Sequence, residues 1–347
     1  MKKIYNLLLL VVTLLSAGVV IAGNPDRQGE AGASQLLINP WARSAGLHSL
    51  NTASIKGTEA MYLNVAGLGR IKSTEINIGH TRYMEGAGLA LNALGLARRI
   101  GNGAFGISLV SMDLGDFDFT TENTPGGSGT TFSPTFVNIG LSYSHVFGNK
   151  VSVGVTAKVV SESATSVAAR AVALDAGVQY VTGEHDEFKF GISLRNVGSK
   201  MRFAGEGLAV SLPNPGPNFP YNNVNYNRSS PYELPSQLNI GASYDFLFGK
   251  SAVLAVLGNF TSNAFARDQA GLGAEFRYRE FFALRAAYKY EFNSNEIERT
   301  LDNGLAAGFS FAFGAKKGSN TRFALDYAYR STFVFRGSHN LGIRVDL

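Results

Sequence analysis

Ser338-His339-Asn340 is the run of side chains best equipped for nucleophilic chemistry, with a hydroxyl, an imidazole and an amide in consecutive places. Near a lipid surface such groups could hydrolyse an ester. Consecutive residues of a strand point to opposite faces, so these three cannot converge without partners from elsewhere. His48, His80, His145, His185 and His339 are scattered, and no two have the spacing of a metal pair. Gly101-Asn102-Gly103-Ala104-Phe105-Gly106 matches the glycine pattern of dinucleotide sites, but no helix follows it. It reads as a hairpin turn. The expectation is a protein with no catalytic residues, no metal and no cofactor. Charged side chains on one face are the remaining chemistry. By parity Lys158, Glu275, Arg277, Arg285, Lys289, Asp326, Arg330, Arg344 and Asp346 share the side opposite the apolar residues. They are expected to form a structural ion network, to line a polar channel or to contact an inner segment.

The elements that carry these residues are strands. Val137, Ile139, Leu141, Tyr143 and Phe147 alternate with Asn138, Gly140, Ser142 and Ser144. A tight turn, Gly148-Asn149-Lys150, follows. Val151, Val153, Val155, Ala157 and Val159 then alternate with Ser152, Gly154, Thr156 and Lys158. Period-2 alternation with one clean apolar face is the strand signature. The pattern recurs to Leu341, Ile343, Val345 and Leu347 at the C-terminus. It is weaker in Thr74–Arg82, Leu89–Arg99 and Ala104–Leu114. In Ala252–Thr261 both faces are apolar, which a bulge or packing against an inner segment would explain.

These strands number about fourteen, an even count suited to a closed antiparallel barrel. The opposite face is mostly Gly, Ala, Ser and Asn, whereas a soluble sandwich would carry charge there. The chain has 40 Gly, 24 Phe and 14 Tyr, and 16% charged residues. The expected fold is therefore all-β, a transmembrane antiparallel β-barrel with its apolar face in lipid. Short turns alternate with long loops at Gly115–Pro134, Gly198–Leu234 and Asn293–Asp302. That asymmetry suggests an outer-membrane location, with long loops outside and both termini periplasmic. Phe147, Phe188, Phe246, Phe248, Phe281 and Phe313 crowd the short-turn ends, as an interfacial girdle would.

Residues 1–22 read as a signal peptide: Met1-Lys2-Lys3 is basic, Leu7–Ala22 apolar, and Val20-Ile21-Ala22 a small-residue cleavage site. With no Cys there are no disulfides. The net charge of +5 is spread along the chain, without the basic patch that nucleic acid requires. Residues 73–347 are assigned to the barrel and 23–72 to a plug or hatch at the periplasmic mouth. Trp41, Arg43, Tyr62 and Asn64 are its expected anchors. In the Pro-rich loop Gly198–Leu234, Phe219, Tyr221, Tyr226 and Tyr232 are candidate partner contacts, because exposed aromatics carry binding hot spots.

The plug segment carries a family resemblance. Gln35-Leu36-Leu37-Ile38-Asn39-Pro40-Trp41-Ala42-Arg43-Ser44-Ala45-Gly46, then Glu59-Ala60-Met61-Tyr62-Leu63-Asn64-Val65-Ala66-Gly67-Leu68, resembles the N-terminal signature of the PorV/PorQ family of Bacteroidota outer-membrane proteins. The family's Asn-Pro-Ala-Gly is Asn64-Val65-Ala66-Gly67 here, and its Met-Gly is Leu47-His48. The resemblance implies a barrel of the FadL type, about fourteen-stranded. It also implies an accessory role in type IX secretion, beside a larger translocon barrel and in contact with secreted cargo. The alternatives are a FadL-like transporter of hydrophobic small molecules, or an accessory barrel of another outer-membrane assembly machine.

Overall fold

The computed structural model describes residues 25–213, 222–249, 251–292, 300–314 and 321–347. The signal-peptide region, Phe219 and Tyr221 lie outside the described residues. The strands are β1 (Thr74–Tyr83), β2 (Leu89–Ile100), β3 (Gly103–Asp113), β4 (Phe117–Asp118), β5 (Thr131–Phe132), β6 (Thr135–Phe147), β7 (Val151–Ala164), β8 (Val167–Thr182) and β9 (Phe188–Gly198). They continue as β10 (Ala209–Pro213), β11 (Asn222–Tyr226), β12 (Gln237–Phe248), β13 (Ala252–Asn263), β14 (Gln269–Tyr278), β15 (Phe282–Glu291), β16 (Asp302–Gly314), β17 (Arg322–Thr332) and β18 (Ser338–Asp346). Among the described residues fourteen of them close one antiparallel ring, the seam being β1 against β18 from Glu75↔Asp346 to Arg82↔His339. The other four form two small hairpins, β4–β5 and β10–β11, in the long loops.

The alternation that predicts the strands also sorts their faces. In β8 every second residue from Ala169 to Val181 is buried, and the residues between them are exposed. The outward set is Ile, Leu, Val, Phe and Tyr on strand after strand, led by Leu272 at 72% exposure. An apolar belt of this kind belongs in hydrocarbon, where a closed barrel leaves no unpaired backbone edge. All six Phe residues of the short-turn girdle are exposed. β13 has no register shift. Its second apolar face includes Leu257, which packs on Leu47 and Leu50 inside the barrel. Of the two explanations offered by the sequence, packing against an inner segment is the correct one.

Residues before β1 fill the lumen with little regular structure: one-turn helices at Ala42–Ala45 and Ala60–Leu63, and short 3-10 turns at Ser34–Leu37 and Val65–Arg70. Their placement corrects one expectation. The plug does not sit at the short-turn mouth alone, because it runs the length of the barrel. Ser73 and Thr74 lie at the short-turn end beside Leu347. At the other end Gly32 donates to the Glu233 carbonyl at 3.0 Å, and Arg27 pairs with Glu233 and stacks on Phe265. Glu233 belongs to the long β9–β12 connection, and Phe265 to the β13–β14 turn at the same mouth. The two ends of the described chain therefore lie at opposite mouths, and cannot both be periplasmic. The cause is a long-range pairing, Ala31↔Glu233, that no local pattern announces.

Candidate functional site: the plug and the lumen wall

An irregular segment inside a closed ring leaves backbone groups without helix or sheet partners, and burial makes each unpaired one costly. The barrel supplies donors. Gln179 on β8 donates to the carbonyls of Thr52 and Ile55 at 3.1 and 2.9 Å. Asn340 on β18 donates to the Asn39 carbonyl at 3.1 Å, and Ser144 on β6 to that of Ala66 at 2.9 Å. Arg195 on β9 reaches the Leu36 carbonyl at 3.3 Å. Glu75 on β1 accepts from the Thr58 amide and hydroxyl at 2.8 and 2.7 Å. Gln179→Leu keeps the volume and removes both donors. It is expected to weaken plug docking by about 1–3 kcal/mol, read as faster amide exchange across residues 52–56 with the barrel strands unchanged.

Space for the plug comes from lumen-facing glycines. A Cβ on Gly177 would lie 2.1 Å from Asn64 Oδ1, and one on Gly154 would lie 2.7 Å from the Val65 carbonyl oxygen. A Cβ on Gly191 would lie 2.7 Å from the Thr52 carbonyl oxygen. The high glycine content thus has a packing cause at the plug–wall contact.

The plug residues singled out from sequence occupy distinct places. Trp41 is 1% exposed, with its ring against Gly79 and Gly95. The Asn39 side chain accepts from the Trp41 amide and donates to Ser44 and Ser49, which fixes the turn that turns the indole inward. Arg43 donates to the Lys56 carbonyl at 2.6 Å and lies 3.9 Å from Glu59. Glu59 accepts from the Ser44 amide at 2.9 Å. Burial pushes the Glu59 carboxyl up, and Arg43 opposes this. Tyr62 donates to the Leu37 carbonyl at 2.7 Å, and Arg195 stacks over its ring at 4.0 Å. Asn64 caps the turn Val65–Arg70 through the Ala66 amide. It also donates to the carbonyls of Thr52 and Val178.

The charges of the wall fall into separate groups. Lys158 pairs with Asp175 at 2.7 Å and donates to Asn196 Oδ1 at 2.5 Å. This group sits at a β8–β9 register shift between Leu174 and Ala176, with Asn196 at a φ of 60°. Towards the short turns, Arg285 pairs with Glu275 at 2.5 Å, and Arg277 bridges Glu275 and Asp245 at 3.4 and 2.7 Å. Arg285 extends this group to Ser310, which is bonded to Asp326. Arg344 lies 3.9 Å from Asp346. Arg330 keeps Nε and Nη2 without partners. Lys289 makes no salt bridge among the described residues. Both lie near the buried His48, whose pKa is depressed by burial and by these two cations.

Two regions of the lumen differ in chemistry. Under the long loops, Leu36, Trp41, Leu91, Met112, Phe136, Val160, Met201 and Leu234 form an apolar cluster, with Phe203 and Tyr232 packed on it. Below it a void of about 20 Å³ lies between Leu36, Trp41, Met61, Tyr62 and Val110 and the polar groups of Lys158, Asp175 and Arg195. At the short-turn mouth is a cavity of about 700 Å³, lined by charged groups that include Arg43, Lys56, Glu275, Arg277 and Arg344.

Tyr232 is not a free contact surface. Its hydroxyl donates to Glu162 at 2.7 Å, and its ring packs near Phe203 and Gly32 in the lid over the lumen. Lys200 and Arg27 hold the neighbouring Glu233 carboxyl below the usual carboxylate range. Tyr226 is 60% exposed on β11. Ser338 and Asn340 face inward, while His339 faces outward to Tyr327 at 2.8 Å and Glu85 at 3.0 Å. Gly101-Asn102 is the β2–β3 turn. Among the described residues no group of three His, Cys, Asp or Glu could hold a metal ion. As donors to the plug, Gln179, Asn340, Ser144 and Arg195 are not picked out by the sequence. Their polarity on the lumen face was visible, but the carbonyls they serve were not.

The fold and its outer surface define a plugged transmembrane β-barrel. No family model matches the chain, and no curated protein matches it. Among solved structures it is similar to the Pseudomonas putida toluene transporter TodX, with 12% identity over 85% of this chain and 93% of that one, TM-score 0.50. It is similar also to the Ralstonia pickettii toluene transporter TbuX, with 15% identity over 88% and 97%, TM-score 0.52. A Pseudomonas aeruginosa FadL homologue matches with 13% identity over 88% and 97%, TM-score 0.50. At these identities the likeness establishes the fold, a FadL-like barrel.

Proposed function

We propose that the protein passes small hydrophobic molecules across the outer membrane, without catalysis, with its long loops outside. The observation that carries this reading is the apolar cluster under the long loops, floored by Trp41 and Tyr62. Apolar side chains gathered under one mouth suit an apolar ligand. The names of the similar structures, two toluene transporters, support the same ligand class. The plug fills the lumen, so passage requires it to shift at Trp41 and Tyr62. The test is uptake of an uncharged aromatic hydrocarbon into liposomes carrying the purified protein. Uptake above that of empty liposomes is expected; parity with empty liposomes would discard the reading.

A second reading is favoured by the exposed hairpins. Phe117 and Phe119 of one, and Val210, Leu212, Val224 and Tyr226 of the other, are open to solvent. Exposed apolar groups on loops suit a protein partner. In this reading the chain serves type IX secretion or another surface-assembly machine, held in the lipid beside a larger barrel and touching secreted cargo. Purification in mild detergent would then recover that larger barrel, and a lone monomer would speak for transport.

A further inference from the structure

We propose that the cavity at the short-turn mouth binds a phosphate-bearing anion, held chiefly by Lys56, Arg43 and Arg344. The site stands apart from the apolar cluster and holds whichever reading of function is correct. Its volume, about 700 Å³, is that of a small-molecule pocket. Its walls carry nine Lys or Arg side chains against five Asp or Glu. Much of the wall is internally paired, since Arg277 and Arg285 engage Glu275 and Asp245. Lys56 is different. It is exposed to the cavity and makes no salt bridge among the described residues. Arg344 Nε has no hydrogen-bond partner, and its ion pair with Asp346 is loose at 3.9 Å.

Lys56, with no ion pair among the described residues, and Arg43 and Arg344, each paired only at 3.9 Å, face one cavity and call for an anion, and guanidinium donors match the oxygens of a phosphate group. Arg70, Lys72 and Arg279 at the rim add to a positive field that draws anions in. The phosphate could come from a soluble phosphate ester or from a phospholipid head group.

Lys56 also gives the site a pH signature. It meets the cavity's water but sits deep among protein atoms. That surrounding, with Arg43, Arg277 and Arg344, pushes its pKa down to about 8, against the pull of Glu275. A lysine with a lowered pKa is cationic below that value and neutral above it. A phosphate monoester stays dianionic from neutrality upward, so binding should weaken as pH rises through about 8.

The experiment is calorimetric titration of the full chain, in neutral detergent at low salt, with glycerol phosphate and with inorganic phosphate. Saturable binding at one site is expected. Lys56→Gln should weaken it by about tenfold and flatten its pH dependence. Lys200→Gln, at the opposite mouth, should leave it unchanged. Retained heat-modifiable gel mobility confirms that each variant is folded. No saturable binding, or Lys56→Gln binding like the parent at both pH 7 and pH 9, would overturn the proposal. Repeating the titration in nanodiscs with phosphatidic acid separates the sources. Suppressed binding identifies a head group as occupant, and unchanged binding a soluble ester.

Discussion

Replacing Gly154 and Gly177 together by Val expels the Asn64–Ala66 turn from the barrel wall. The two glycines face each other across β7 and β8. A Cβ on Gly177 meets Asn64 Oδ1 at 2.1 Å, and one on Gly154 meets the Val65 carbonyl and the Ala66 amide at 2.7 and 2.9 Å. At Gly154 the obstacles are backbone, so no rotamer change relieves them. Overpacking of this kind costs about 1–3 kcal/mol per site, and the rigid contacts here push the pair to about 5 kcal/mol. Displacing Asn64 also loses its cap and its bonds to Thr52 and Val178. The outward faces and ladders of β7 and β8 are untouched, so the ring should stay closed. The measurement is single-channel conductance in planar bilayers beside amide exchange. An open current and lost protection at residues 60–68 are expected. A silent channel with parental protection would show that the wall yields and the glycines are dispensable.

Trp41→Ala is the single substitution with the largest expected cost, about 3–5 kcal/mol. The indole is almost wholly enclosed, and its near neighbours Gly79 and Gly95 have no side chains with which to fill the space. The vacated volume adjoins the void beside Tyr62 and Met61. The apolar region above and the charged cavity below are thereby brought closer to continuity. If passage runs past Trp41, hydrocarbon uptake rises as thermal stability falls. A stability loss with unchanged uptake would place the path elsewhere.

The barrel was legible because lipid and lumen impose opposite chemistry on alternate residues. That rule holds from Val137 to Leu347 with few breaks. One break is informative: Arg195 and Asn196 are adjacent and both buried. They sit at the register shift where Asn196 donates to Asp175 and to the Pro235 carbonyl. The sequence there, Leu194-Arg195-Asn196-Val197, shows two consecutive polar residues, a sign that alternation fails. The path of the plug was not legible. Its position rests on contacts such as Asn340 to Asn39 and Gln179 to Thr52, between residues far apart in the chain, and no periodicity encodes these. Tyr232 was misread for a related reason. Its place in a Pro-rich loop suggested exposure, but Glu162 and Phe203 draw it into the lid.

The plug runs from one mouth to the other inside a ring whose seam, β1 against β18, joins the first strand to the last. That geometry sets an order of assembly. A ring closed first would have to admit the whole segment end-on, past the glycine contacts that grip it. A sheet still open at β1 and β18 can instead wrap around the segment, which is joined directly to β1. Closure is then the last event, and a highly non-local one, the kind of contact that slows folding. The plug serves as the mandrel on which the barrel is rolled.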